Sequence, residues 1–220
     1  MFLEKFLDNF ALNRFDAIVY INLEHRTDRK EKLLSELDRL KTKKEKIHRI
    51  EAFYTPLNGH RGCAYSHYSC IKLAKQNNWN NVLILEDDCT FTQGATEVDL
   101  YVSHFLNTTN YWDVFFLSTR ILEKEPSSCL HISRILKSTQ AHAYVVNAHY
   151  YDTLMACFHD SYNQLENNVF FQTVKDECLD QKWHDLQSKD QWYAGDTLVA
   201  KQDKGFSDIE LKVIQRSINI

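Results

Sequence analysis

Three carboxylates in a row, Glu86-Asp87-Asp88, follow the apolar run Val82-Leu83-Ile84-Leu85. Adjacent carboxylates repel one another, and placing them at the mouth of a buried strand is unfavourable unless a cation neutralises them. Side chains alternate along an extended chain, so Glu86 and Asp88 point the same way and can share one ion. An all-oxygen donor set suits a hard divalent cation, Mg2+ or Mn2+. Such an ion bridges a diphosphate and helps it leave. An acidic turn capping the next element would have the same spelling, so the triplet alone leaves both readings open.

Other segments carry polar groups that such chemistry would need. Asn22 to Arg29 (NLEHRTDR) sets Arg26 and Arg29 where a strand turns into a helix. A helix N-terminus attracts phosphate and an arginine adds a charge-assisted fork, although local pairing with Glu24 and Asp28 accounts for the same residues. In Gly59 to His67 (GHRGCAYSH), Gly62 allows close backbone approach at a helix start, with Ser66 and His67 on the first turn or so. Cys63 and His67 stand at i,i+4; a packed thiol and a hydrogen-bonding histidine explain them better than a nucleophile pair. Lys201 to Ile209 (KQDKGFSDI) makes a sharp polar loop at Gly205 and by itself reads as a surface turn.

These segments must be positioned by regular elements. Asp16 to Leu23 is apolar and β-branched and reads as a buried strand. Thr27 is the expected N-cap of a helix whose leucines fall at 33, 34, 37 and 40. Ile47 to Phe53 reads as an alternating strand, Asn58 to Gly62 as a loop, Cys63 to Gln76 as an amphipathic helix and Val82 to Leu85 as a strand. Strand, helix, strand, helix, strand predicts an α/β sheet with mostly parallel neighbours, whose ligands bind beyond the carboxyl ends of its strands. Further on, a helix over 97–106, a strand over 114–117, a loop or hairpin over 121–133, a strand over 142–146, a helix over 149–158 and a final strand at Leu198 to Lys201 are expected. The tail from Ser207 shows weak helical spacing.

The 220 residues are 44% hydrophobic and 25% charged, values of an ordinary globular chain large enough to build its own core. Net charge is −4, which argues against a nucleic-acid partner. The six cysteines form no CxxC pair, and no run approaches the ~18 apolar residues of a membrane helix. With no secretory leader evident, a cytoplasmic, reducing setting is expected, membrane-peripheral association or a viral source being equally consistent with the sequence. Without repeats or linkers, residues 1–220 read as a single domain.

Together the segments resemble glycosyltransferase family 25, which includes bacterial lipooligosaccharide galactosyltransferases and the related collagen galactosyltransferases. The family's INL-x-R-x-x-R pattern is similar to Ile21-Asn22-Leu23 with Arg26 and Arg29, which stand one residue further along; its GC-x-x-SH to Gly62-Cys63, Ser66 and His67; its LEDD to Leu85 through Asp88; and its Q-x-x-G-x-SDI to Gln202, Gly205 and Ser207-Asp208-Ile209. The order matches over about residues 17 to 209. Two departures stand out: no glutamate precedes Gly62-Cys63, and no proline precedes Gln202.

The resemblance implies a GT-A type, Rossmann-like α/β fold, a UDP-sugar donor, galactose or glucose as the sugar, and inversion at the anomeric carbon onto a hydroxyl of a glycan or glycoprotein. It implies that Glu86 and Asp88 hold Mn2+ or Mg2+, and that Asn22, Arg26, Arg29, Gly62, Ser66, His67, Glu86, Asp87 and Gln202 bind the donor. It implies Asp180 as the base, with Asp208 beside it in the catalytic set; a helix-surface carboxylate is the other reading of Asp180. Two rival functions remain: a degenerate member that binds carbohydrate or a partner without turnover, and a metal-dependent nucleotidyltransferase. The intact acidic triplet weighs against the first, and the lack of a Gly- and Lys-rich phosphate loop against the second.

Overall fold

The computed structural model describes residues 8–167, 175–209 and 212–214. In chain order its elements are β1 (Ala17–Asn22), α1 (Thr27–Arg39), β2 (Ile47–Glu51), α2 (Gly59–Gln76), β3 (Asn81–Glu86), β4 (Cys89–Phe91), α3 (Ala95–Thr108), β5 (Val114–Pro126), β6 (Ile132–Asn147), α4 (Tyr151–Gln164), α5 (Leu179–Lys182), α6 (His184–Gln187), β7 (Trp192–Gly195), β8 (Ala200–Gln202), β9 (Gly205–Ser207) and β10 (Lys212–Ile214). Six strands form the central sheet in the order β2-β1-β3-β6-β5-β7. β1 runs parallel to β2 and β3, and β5 parallel to β7, while β6 runs antiparallel to both β3 and β5. The expected mostly parallel sheet is therefore present, with β6 reversed within it.

Every residue of β1 is buried, which is why it reads as an unbroken apolar run rather than an alternating one. The alternation survives as two separate cores. Ile18 and Tyr20 join Leu83, Leu85, Phe115 and Leu117 against Leu33 and Leu37 of α1 and Val98, Val102 and Phe105 of α3. Val19 and Ile21 join Val82, Ile84, Val114 and Phe116 on the other face, against Ala64, Ile71 and Ala74 of α2, Leu154 and Phe158 of α4, and the indoles of Trp183 and Trp192. Each such side chain contributes about 1.5–3 kcal/mol on burial. A one-residue slip of β1 would exchange the two sets, so the register that carries Glu86 to the strand end is firmly held.

Several boundaries differ from the sequence expectation. Thr27 lies inside α1 and Arg26 takes the cap position, with no side-chain cap bond. α2 begins at Gly59 rather than after Gly62, because the Asn58 side chain accepts the Arg61 N–H and opens the helix one turn early. β5 and β6 extend far beyond the apolar cores that signal them and close the expected hairpin as a long, bulged ladder. α4 runs from Tyr151 to Gln164, shifted toward the C-terminus. The helical spacing of the tail is overridden: β10 pairs antiparallel with β9, and the rest of the tail beyond Ile209 lies outside the described residues. All six cysteines are free thiols. No helix among the described residues is long and apolar enough to cross a membrane.

Candidate functional site

β1 and β3 lie side by side with Ile21 opposite Glu86, so both strands end at one edge of the sheet. The reversed β6 brings Gln140 and Ala141 past that edge. The β4–β8 pairing sets Gln202 opposite Cys89, next to the acidic triplet. α5 and the turn after β9 supply Asp180 and Asp208. These elements enclose a cleft with about 1160 Å3 of empty space, part of it open to solvent. Asn22, Arg29, Gly62, Ser66, His67, Glu86, Asp87, Asp88, Asp180, Gln202 and Asp208 all line it. Arg26 stands behind the wall, where its Nη1 donates to Asp208 Oδ2 at 2.5 Å. Residues spread from position 22 to 208 thus converge on one site.

The triplet divides as strand alternation requires. The Gln202 amide donates to Glu86 Oε2 at 3.3 Å and to Asp88 Oδ2 at 2.9 Å, so one nitrogen bridges the two like-facing carboxylates. Asp87 turns the other way, accepting from Asn22 Nδ2 at 2.8 Å and Arg29 Nη1 at 3.0 Å. Arg29 Nη1 also lies 3.7 Å from Asp88 Oδ2. Burial pushes the Asp88 carboxyl up to about 7, and Glu86 beside it adds repulsion; the Gln202 amide and Arg29 pull the other way. Asp87 is raised by burial too, against the opposing pull of Arg29 and Asn22. Asp88 Oδ1 is buried and has no hydrogen-bond partner among the described residues. A buried, unpartnered carboxylate oxygen beside a second carboxylate is an acceptor site awaiting positive charge. The donor set is all oxygen, so these residues fit a hard divalent cation.

The strand-to-helix junction does two jobs. Asn22 is fully buried; its Nδ2 also donates to Arg26 O at 2.9 Å and its Oδ1 accepts from Arg49 Nε at 3.2 Å. The expected local pairing holds for Arg26, whose Nε donates to Asp28 at 3.0 Å and draws that carboxyl down to about 2. Arg29 instead reaches across to Asp87 and, through Nη2, to the Phe206 carbonyl at 2.5 Å, tying the β9 segment to the acidic edge.

On α2, a Cβ on Gly62 would stand 2.2 Å from the Phe53 carbonyl oxygen, so the close approach expected of this glycine exists. Ser66 Oγ donates to Gly62 O at 2.7 Å and accepts the Phe53 N–H at 2.8 Å, fastening the segment after β2 to the helix. His67 is buried; its Nδ1 meets Tyr144 Oη at 2.8 Å and its Nε2 meets Glu86 Oε1 at 3.2 Å. Phe53 and Tyr54, 44% and 57% exposed, put aromatic faces at the rim.

Asp180 sits half-buried on the cleft wall, and its Oδ2 accepts the Gln140 backbone N–H at 2.8 Å. Gln140 has φ 74°, a left-handed conformation unusual for a residue other than glycine. Such outliers cluster at functional sites, where the surroundings hold them in place. Neither Gln140 nor Tyr144 is signalled by the sequence. Asp203 is a third unforeseen participant: it accepts from Thr90 Oγ1 at 2.7 Å and pairs with Lys32, bracing β4 and α1 against the loop that follows Gln202.

A family model described as glycosyltransferase family 25 (LPS biosynthesis protein) matches residues 57–176, more than half of the chain. No individual curated protein matches. Among solved structures, A197 from STIV aligns with a TM-score of 0.50 at 10% identity, over 93% of this chain and 95% of that one. A mannose-1-phosphate geranyltransferase from Thermus thermophilus aligns at 0.46 and 8% identity, over 81% and 72%. A glycosyltransferase involved in the glycosylation of the major capsid of PBCV-1 aligns at 0.42 and 10% identity, over 88% and 95%. At 10% identity the likeness to A197 concerns the fold alone, an α/β sheet flanked by helices.

Proposed function

The chain belongs to glycosyltransferase family 25, and from that premise we propose an inverting hexosyltransferase that moves galactose or glucose from a UDP-sugar to a hydroxyl of a glycan or glycoprotein, with residues 1–220 as one domain. The observation that carries this reading is the buried Asp88 Oδ1, without a hydrogen-bond partner among the described residues, beside Glu86 at the carboxyl edge of the sheet. Glu86 and Asp88 would hold Mn2+ or Mg2+, which when bound offsets the charge gathering on a leaving diphosphate.

The chain's own groups supply the rest. Gln202 keeps the two carboxylates on one side, and Asn22 and Arg29 hold Asp87 away from them. Gly62 and Ser66 keep the cleft wall close to the segment around Phe53, whose ring with that of Tyr54 offers apolar faces to a sugar or base. Arg26 anchors Asp208, the second carboxylate on the acceptor side. Inversion requires a base that takes the acceptor proton as its oxygen attacks the anomeric carbon and the bond to the diphosphate breaks. Asp180 fills that role, with one oxygen fixed by the Gln140 N–H.

The test is release of nucleoside diphosphate from a panel of nucleotide sugars with Mn2+, with and without EDTA. Slow, EDTA-sensitive hydrolysis of one donor supports the reading and names the sugar. A donor-dependent thermal shift without release means the acceptor is missing. Neither release nor shift with any donor removes the proposal in favour of a binding-only member of the family.

A further inference from the structure

We propose that Cys63, His67 and Glu86 form a second, soft-cation site that takes Zn2+ and competes for Glu86 with the hard-cation site. The inference rests on the preceding reading only in its consequence for activity; the site itself stands on geometry. The donor atoms of these residues lie within 4.8 Å of one another. His67 Nε2 is 3.2 Å from Glu86 Oε1, and Cys63 Sγ is 4.0 Å from the same oxygen. In a tetrahedral zinc site with Zn–N and Zn–O near 2.0–2.1 Å and Zn–S near 2.3 Å, the N···O and S···O edges come to roughly 3.3 and 3.6 Å. The His67–Glu86 edge already has that length, the Cys63–Glu86 edge needs a contraction of about 0.4 Å, and the Cys63–His67 edge, within 4.8 Å, must close to roughly 3.6 Å, a movement that rotation of the Cys63 side chain supplies.

Glu86 divides its oxygens between the two donor sets. Oε2 faces Gln202 and Asp88, an all-oxygen setting. Oε1 faces a thiol and an imidazole, donors that select zinc over magnesium or manganese. The imidazole is also held from behind: Nδ1 meets Tyr144 Oη at 2.8 Å in the buried core, as expected of a metal-binding histidine fixed by an outer partner. All three ligating residues line the cleft, which gives an ion its route from solvent and leaves the fourth ligand to water. When zinc binds, the Cys63 thiol proton leaves to solvent as the Zn–S bond forms. His67 ligates through Nε2 as the neutral tautomer that keeps its proton on Nδ1, and that N–H donates a hydrogen bond to Tyr144 Oη. A Zn2+ seated there draws Glu86 away from Asp88. Micromolar zinc should therefore inhibit Mn2+-dependent turnover, and added Mn2+ should relieve the inhibition.

Co2+ is the probe, because a Co–thiolate bond gives a charge-transfer band in the near ultraviolet that oxygen and nitrogen ligands do not. Titration of wild-type protein, Cys63→Ser, Cys129→Ser and Asp88→Asn with Co2+, followed by displacement with Zn2+, reads the site without any turnover. The expected result is one band per chain, displaced by Zn2+, retained in Cys129→Ser and Asp88→Asn, and lost in Cys63→Ser with at least a tenfold weaker Zn2+ affinity. Thermal melting of Cys63→Ser in EDTA checks that it is folded; if it is not, His67→Gln takes its place with the same expected loss. No band in wild type, or a band that survives in Cys63→Ser, overturns the proposal. A band that behaves as expected in a protein that shows neither release nor a thermal shift with any nucleotide sugar leaves the zinc site standing and removes only the transferase reading.

Discussion

Asn22→Leu is the sharpest probe of how the acidic edge is held. The substitution keeps the branching and heavy-atom count of the side chain and removes the side-chain hydrogen bonds to Asp87, to the Arg26 carbonyl and from Arg49. The bonds to Asp87 and from Arg49 involve charged groups and contribute about 1.5–3 kcal/mol each, and the neutral one to the Arg26 carbonyl about 1 kcal/mol, so the gross loss is about 4–7 kcal/mol. The buried leucine regains about 1–2 kcal/mol of apolar burial. The net cost of about 2–6 kcal/mol lowers the melting temperature by roughly 4–24 °C in a domain of this size. Differential scanning calorimetry in EDTA checks the value without contribution from bound metal. In Mn2+ the loss should carry over, because Asn22 touches Asp87 rather than Glu86 or Asp88. A variant melting within about 1 °C of wild type would refute the view that Asn22 holds Asp87 in place.

Other expectations follow from the same geometry. Gly62→Ala drives a methyl into the Phe53 carbonyl, 2.2 Å from the ideal Cβ position, and should cost about 1–3 kcal/mol in chemical denaturation. Asp180→Asn should lower transfer by about 10²–10⁴-fold while leaving donor affinity, read by calorimetry, close to wild type; unchanged transfer would move the base elsewhere. Cys129 should be the first cysteine to react with a thiol reagent as pH is raised. The Thr109 hydroxyl holds its thiol below the usual value, whereas burial lifts Cys70, Cys89 and Cys63 and pushes Cys157 up to about 12. The thiolate is the reactive form. Mapping of the first alkylated peptide reports the order.

The sequence reveals what apolar pattern and local chemistry control. β1, β3 and α1 announce themselves because burial on both sheet faces makes an unbroken apolar run, and burial on one helix face makes a leucine stripe. β5 and β6 are only half visible. Their outer halves, Arg120 to Pro126 and the strand facing them, are largely polar and held by hairpin pairing rather than by burial. The start of α2 is hidden because Gly59 and His60 read as a loop, and the Asn58 cap that overrules them is a single hydrogen bond. At the site, the triplet, Gln202 and the arginines are legible from residue type. Their pairings are not: Arg29 with the Phe206 carbonyl spans 177 positions and Gln202 with Glu86 spans 116. Gln140 contributes a backbone N–H from a left-handed residue within a bulged strand, and no side-chain type signals that.

The central claim, that Glu86 and Asp88 hold the ion that lets a nucleotide sugar react, is tested most directly by comparing wild type with Asp88→Ala. Release of nucleoside diphosphate is measured as Mn2+ is titrated in. Saturable, Mn2+-dependent release in wild type that disappears in Asp88→Ala, with both proteins melting cooperatively, is the predicted result. Equal release by the two proteins, or release untouched by EDTA, would contradict it.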